Sequence, residues 1–284
     1  MRHSEKHIVR SSEIDSHYKL KPSAVVELIQ EAAMHHITEI RYGNRDMHEI
    51  ERKAYILSRL VIETVNDADD SGCDSKVKIP GESDEIEIIT WAAHGHAANF
   101  PRCYEIKFEG ETIIRGTALW ALVDVDTKRL VRYKDYYPDD NFSEPEHELR
   151  TALKYRLPGD LEFKESYRFK VMYSYTDSNG HMNNVKYIDP MCDAIPQIGE
   201  RDVKAFAIHY ARELKAGDEV KVLYALAQDD ESSADNKPSS HTKSSADRKP
   251  SSDIKSSADR KPSTYYVVFE HDGEITADSK WVVE

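Results

Sequence analysis

The sequence predicts an α+β protein, with antiparallel strands curled around a helix in each of two matching halves. Three observations predict it. One strand, one long helix and four further strands occur in that order twice along the 284 residues. Each half holds a single stretch of helical periodicity, and a lone helix followed by a run of strands favours an antiparallel sheet packed on one face. The length suits one large domain or two of about 100–150 residues.

In the first half a short strand is expected near His7–Arg10. Pro22 then fits the first helical turn, where a missing N–H costs nothing. Val25, Leu28, Ile29, Ala32, Ala33, Ile37 and Ile40 recur at helical spacing, and Gly43 supplies the stop. Strands are predicted over Ala54–Val65, Glu85–Trp91, Arg102–Glu109 and Thr112–Asp124. A polar stretch with Pro138 and Pro145 separates the halves.

The second half opens on strict alternation. Tyr167, Phe169, Val171, Tyr173 and Tyr175 interleave with polar Ser166, Arg168, Lys170 and Ser174 and with Met172. A helix is predicted from Asn184 to about Ile198, shortened or bent by Pro190, because an interior proline costs ~3 kcal/mol. Strands follow at Val203–Arg212, Asp218–Ala227, Thr264–Glu270 and Ile275–Val283.

Composition narrows the function. There are 39 basic and 52 acidic side chains, a formal charge of −13, and this acidity argues against a nucleic-acid binder. No apolar run approaches the ~20 residues of a membrane span. The N-terminal segment has neither the apolar core of a secretory signal nor the Arg-rich, acid-poor character of a transit peptide, so a cytoplasmic location is expected. Cys73, Cys103 and Cys192 are too widely spaced for a disulfide framework or a metal knuckle. His94-Gly95-His96 has no carboxylate or Cys company, and adjacent His35 and His36 cannot share one helix face, so no metal and no cofactor are expected. Ser232 to Ser239 recurs as Ser244–Ser251 and Ser256–Ser263. Across 228–263 the apolar side chains are Ala234, Ala246, Ile254 and Ala258, so this insertion is predicted to be disordered.

The stretch Asp177-Ser178-Asn179-Gly180-His181-Met182-Asn183-Asn184 carries the candidate chemistry. Asp177 and Asn179 share parity with Tyr173 and Tyr175, so a continued strand would aim them at the apolar face. Gly180 permits a turn, and Asn183 or Asn184 can cap the following helix, whose free N–H groups suit an oxyanion. Asx and Gly residues between a strand and a helix are also ordinary turn material, so composition alone leaves a structural reading open.

This motif, continuing through Val185-Lys186-Tyr187, resembles the signature of the acyl-acyl-carrier-protein (acyl-ACP) thioesterases. Lys21-Pro22-Ser23, Tyr55-Ile56-Leu57-Ser58-Arg59-Leu60, Thr90-Trp91 and Ala118-Leu119-Trp120-Ala121-Leu122-Val123-Asp124 are similar to family segments in the same order. The resemblance implies a tandem (double) hotdog fold: an N-terminal hotdog at 1–137 with the acyl pocket, a linker at 138–160, and a catalytic hotdog at 161–284. It implies that Asn179 and His181 are catalytic, with Asp177 beside them and Glu213 closing His209-Tyr210-Ala211-Arg212-Glu213. The next position, a Cys in many members, is Leu214 here, which argues against a Cys–His mechanism.

The expected reaction is attack of an activated water on the thioester of a fatty acyl-ACP, releasing free acid. Glu213, or Glu213 with Asp177, would act on the water, while His181 and Asn179 position the reactants; the base among Asp177, His181 and Glu213 stays open. The partner implied is acyl carrier protein, met through a cluster such as Lys128, Arg129, Arg132 and Lys134, since a −13 chain repels an acidic carrier at long range. An acyl-CoA thioesterase and a non-catalytic acyl-binding protein are the alternatives. Two halves in one chain would form a pseudo-dimer, with homodimerisation left open.

Overall fold

The computed structural model describes residues 1–40, 43–65, 79–147, 149, 151–227 and 262–284. The tandem repeat lies almost wholly outside the described residues, as does Cys73. The first half contains β1 (Arg2–Ile8), α1 (Pro22–Ile40), β2 (Lys53–Thr64), β3 (Glu85–Ala92), β4 (Asn99–Phe108) and β5 (Glu111–Asp124). The second contains β6 (Lys164–Lys170), β7 (Val203–Tyr210), β8 (Glu219–Leu226), β9 (Ser263–His271) and β10 (Glu274–Val283). All ten strands join one antiparallel sheet in the order β1-β3-β4-β5-β2-β7-β10-β9-β8-β6. The second half repeats the first in mirrored order, and β2 meets β7 at the seam through Arg59↔His209, Val61↔Ala207 and Glu63↔Ala205.

Helix α1 buries Val25, Val26, Leu28, Ile29, Ala32 and Ala33 and lies against β1 and β3. This stripe matches the spacing that predicted the helix. One hydrophobic core takes in residues of both halves, from Val25 and Ile29 to Phe269 and Trp281. The α+β double hotdog architecture therefore stands, with three local corrections.

β1 begins at Arg2, not His7. Its half-buried face consists of His3, Glu5 and His7, so no apolar alternation marks the strand. In the second half, the strand expected to run on to Tyr175 stops at Lys170. That residue pairs with Glu219, the first residue of β8, so no partner strand remains beyond it. The chain turns into a 3-10 turn at Tyr173–Tyr175, with Tyr173 87% exposed. The parity that was to aim Asp177 and Asn179 inward is lost with it. The third correction concerns the second helix. In place of Asn184–Ile198 there is a 3-10 turn, Asn184–Tyr187, followed by a six-residue helix, Ile188–Asp193. Pro190 falls in the first turn of that short helix, where its missing N–H is tolerated, and its carbonyl accepts from the Tyr167 hydroxyl at 2.7 Å.

Candidate active site

The segment Asp177–Asn184 reaches the site as a knotted turn rather than a strand end. Asp177 Oδ1 accepts the backbone N–H of Asn179 at 2.8 Å and of His181 at 3.3 Å. The Asp177 N–H donates to His181 O, and the Gly180 N–H to Asp177 O. Gly180 has φ 78°, the left-handed region that makes glycine the natural residue at this reversal. Asn183 Oδ1 caps the following 3-10 turn by accepting the Val185 N–H at 2.9 Å. Two further bonds tie the turn down: Met182 N–H to Leu214 O and Asn183 N–H to Tyr175 O.

Leu214 is fully buried, which fixes its neighbour Glu213 beside the turn. Glu213 Oε2 lies 3.2 Å from His181 Nε2. Asp177, Ser178, Asn179, Asn183 and Asn184 line a cavity of about 400 Å³, whereas His181 and Glu213 stand outside its lining. The structure thus gives two groups: a His181–Glu213 pair, and an Asp177–Asn179 turn at the cavity wall.

The opposite wall comes from the first half. Helix α1 contributes Gln30, Ala33, Met34 and Ile37, and the strands contribute Tyr55, Phe100 and Arg102. The resemblance implied a pocket in residues 1–137; the polar members of this wall were not legible, because each sits in a stretch whose visible signal is only its helix or strand character. Tyr133 and Tyr137 also line the cavity, and the two hydroxyls of Tyr55 and Tyr137 are 3.1 Å apart.

The expected helix N-terminus is too short to act as a dipole. The backbone N–H groups of 177, 179–183, 185 and 186 already have protein acceptors. Among the described residues, the amides of Ser178 and Asn184 have no such acceptor, and both residues line the cavity. These two amides and the Asn179 carboxamide are neutral donors of the turn that can meet a developing oxyanion.

Neither described cysteine is a nucleophile. Burial pushes the Cys103 thiol up to about 11 and the Cys192 thiol up to about 12, and a thiol held protonated does not attack. Behind Arg102, His36 is fully buried and accepts from Arg102 Nη1 through Nδ1 at 2.9 Å. Burial, with the nearby Arg102 charge, lowers its pKa to about 4. An unfolded histidine titrates near ~6.5, so the unfolded chain binds the extra proton first. Stability held above pH 6.5 is therefore expected to decline by up to about 3 kcal/mol as the pH falls towards 4. Urea unfolding at several pH values, compared with His36→Asn, checks this; equal pH slopes in both proteins would remove His36 as the cause.

One group of side chains with metal-ligating chemistry went unseen in the sequence. His3, Glu5 and His35 each bring a ligand atom within 4.8 Å of the others. Their hydrogen bonds, 2.7 Å for His35–Glu5 and 3.2 Å for His3–Glu5, make them a closed ion cluster across β1 and α1. Bonding to Glu5 raises the His35 pKa.

Comparison with known proteins agrees with the architecture. Residues 1–139 match the family described as the acyl-ACP thioesterase N-terminal domain, and residues 160–260 match the acyl-ACP thioesterase C-terminal domain. An Arabidopsis thaliana protein named oleoyl-acyl carrier protein thioesterase 2, chloroplastic, is 29% identical over 245 residues, covering 78% of this chain. The chain spans 62% of that relative's length. A solved acyl-ACP thioesterase from Bacteroides thetaiotaomicron superposes with a TM-score of 0.70 at 17% identity, covering 100% of this chain and 98% of that one. The 12:0-ACP thioesterase from Umbellularia californica gives a TM-score of 0.70 at 16% identity, covering 100% and 97%. At such identities these two structures speak for the fold. Among the described residues, no helix is long and apolar enough to cross a membrane.

Proposed function

The chain belongs to the acyl-ACP thioesterase family, and we propose that it hydrolyses the thioester of a fatty acyl chain carried on acyl carrier protein. The observation that carries this is the placement of Asp177, Ser178, Asn179, Asn183 and Asn184 on the wall of the α1 cavity, with His181 of the same turn paired to Glu213 outside that lining. A cavity of that size, mixed apolar and polar, suits a thioester-linked chain.

In the proposed mechanism Glu213 holds His181 Nε2–H, which leaves the other ring nitrogen as the proton acceptor. His181 takes a proton from water as its oxygen bonds to the thioester carbon. The negative charge that develops on the carbonyl oxygen is met by the Asn179 carboxamide and the Ser178 and Asn184 amides. The intermediate collapses, the carbon–sulfur bond breaks, and the thiolate takes the proton back from His181. A thiolate of free pKa ~8.5 leaves without a strong acid. Asp177, with Oδ1 already engaged by two backbone N–H groups, shapes the turn in this scheme. In this reading the base is His181, supported by Glu213.

The halves meeting at β2 and β7 are proposed to act as a pseudo-dimer, with the pocket in residues 1–137, a linker at 138–160, and the catalytic turn in 161–284. The carrier contact is proposed at Lys128, Arg129, Arg132 and Lys134. All four are exposed, and they flank Tyr133 and Tyr137 of the cavity wall. Among the described residues none of the four is in a salt bridge. Reversing all four to Glu is expected to raise KM for acyl-ACP about tenfold at low salt, with kcat little changed, and the gap should close as salt screens it. An unchanged KM would move the carrier elsewhere on the surface.

The experiment that tests the function itself is hydrolysis of matched acyl-ACP and acyl-CoA series. Faster release of acid from acyl-ACP is expected. A preference for acyl-CoA would replace the carrier, and no release from either would leave an acyl-binding protein.

A further inference from the structure

We propose that the cavity recognises an acyl chain bearing an acceptor oxygen, and that Arg102 is the residue that binds it. The inference rests on the thioesterase reading and extends it from a reaction to a class of substrate. Arg102 lies on β4 opposite Ala92 of β3 and is 6% exposed, yet it lines the cavity. Its Nη1 donates to His36 Nδ1 at 2.9 Å and to Thr90 Oγ1 at 3.2 Å. Both acceptors are neutral, since burial holds His36 uncharged near neutrality.

A buried guanidinium is ordinarily paired with a carboxylate, because a guanidinium does not lose its proton in proteins. Among the described residues, Arg102 has no such partner, and its Nε and Nη2 hydrogens have no acceptor. Desolvation acts on it in the expected direction, lowering its pKa without supplying a countercharge. On the same first-half wall, Gln30 of α1 also has a buried Nε2 without an acceptor, and Gln30 lines the same space.

Two donor residues, one on β4 and one on α1, therefore line a cavity in which a plain hydrocarbon tail supplies no acceptor. A keto, hydroxyl or carboxylate oxygen on the chain would satisfy them, and a carboxylate would also neutralise the charge. Sites built to hydrogen-bond a substrate oxygen reject analogues that lack it far more strongly than apolar pockets reject an added methylene.

The test compares kcat/KM of the full chain on thioesters of one length bearing a plain alkyl, hydroxy, keto or terminal carboxyl chain, in the wild type, Arg102→Met and Arg102→Lys. The wild type is expected to favour at least one oxygenated series by roughly tenfold or more. Arg102→Met should collapse that ratio, Arg102→Lys should restore part of it, and the winning series identifies the oxygen. A preference for the plain chain in the wild type overturns the proposal. So does an equal loss on every series in Arg102→Met, which would make Arg102 a strut between α1 and β4. Should Arg102→Met not fold, Gln30→Leu is expected to reduce the same ratio severalfold, and an unchanged ratio counts against the proposal. If the wild type hydrolyses nothing, the thioesterase reading fails by itself. Calorimetric binding of the four free acids then decides Arg102: tighter binding of an oxygenated acid, lost in the variant, sustains it, and equal binding of all four sinks it.

Discussion

His181→Ala is expected to lower kcat/KM for thioester hydrolysis by about 10²–10⁴-fold, the usual contribution of a positioned general base. Asn179→Ala should lower it by about 10²–10³-fold, as loss of an oxyanion donor does. Glu213→Gln should fall between a mild defect and the His181 level, since it keeps the hydrogen-bonding shape but loses the charge facing His181 Nε2. The effects are not additive, because the pair acts as a unit. None of the three should unfold the protein. Asn179 and Glu213 are exposed and His181 is only half-buried, and such positions change stability by about 0.5 kcal/mol or so. Steady-state kinetics on acyl-ACP, with thermal melts of the same samples, separate loss of chemistry from loss of fold. Near-normal turnover in both His181→Ala and Asn179→Ala would show the site to be elsewhere.

Asp177 supplies the discriminating comparison. As turn-former, it acts through Oδ1, which accepts from Asn179 and His181. Asp177→Asn keeps that oxygen and should retain a substantial share of activity, while Asp177→Ala loosens the turn and should lose about 1 kcal/mol of local stability with most of the rate. If Asp177 were the base, both substitutions would be equally severe. The outcome decides between two roles that the sequence left open.

Much of this arrangement was legible, and what was not has identifiable causes. Helix α1 announces itself because its buried face is apolar at the helical period, and strands β3 and β5 because they are runs rich in apolar and β-branched residues. β1 hides because its inner face is His3, Glu5 and His7, residues that satisfy one another with Glu13, Glu39 and His35 instead of packing. The alternation through Tyr173 and Tyr175 misleads because local period is necessary for a strand but a partner is also needed, and β8 starts only at Glu219. The chemistry-bearing turn was recognisable as a motif, and its His181 lies beside Glu213. The local rule that placed it, a strand continuing inward onto a helix N-terminus, was wrong. Arg102 was unreadable for a different reason. A strand position shows its face only through neighbours of known burial, and Pro101-Arg102-Cys103-Tyr104 are all buried, so nothing distinguished a guanidinium aimed into a cavity.

Trp281→Ala is expected to destabilise the whole chain by about 3–5 kcal/mol, a large part of the 5–15 kcal/mol that holds a typical domain together. Trp281 is fully buried. It sits opposite Phe206 across β10–β7, with the rings stacked at 4.7 Å. Its indole N–H donates to Ser279 Oγ at 2.8 Å, so the polar atom is satisfied as well as the rings packed. The position belongs to a cross-strand row that runs Tyr104, Gly116, Ile62, Phe206, Trp281 and Tyr265, from β4 to β9 through the seam. Gly116 is small because of this row, since a Cβ there would meet Ile62 Cδ1 at 2.5 Å. Removing the indole opens a cavity that neither sheet neighbour can fill, because each is held by its own ladder bonds. Trp281→Phe keeps a ring over Phe206 and should recover most of the loss. Because the row crosses β2–β7 and one core serves both halves, the variant should melt in a single transition at lower temperature, not with the second half unfolding first. Calorimetry reads this directly: two resolved transitions would mean that the halves are stabilised separately and that the seam transmits little between the pocket and the catalytic turn.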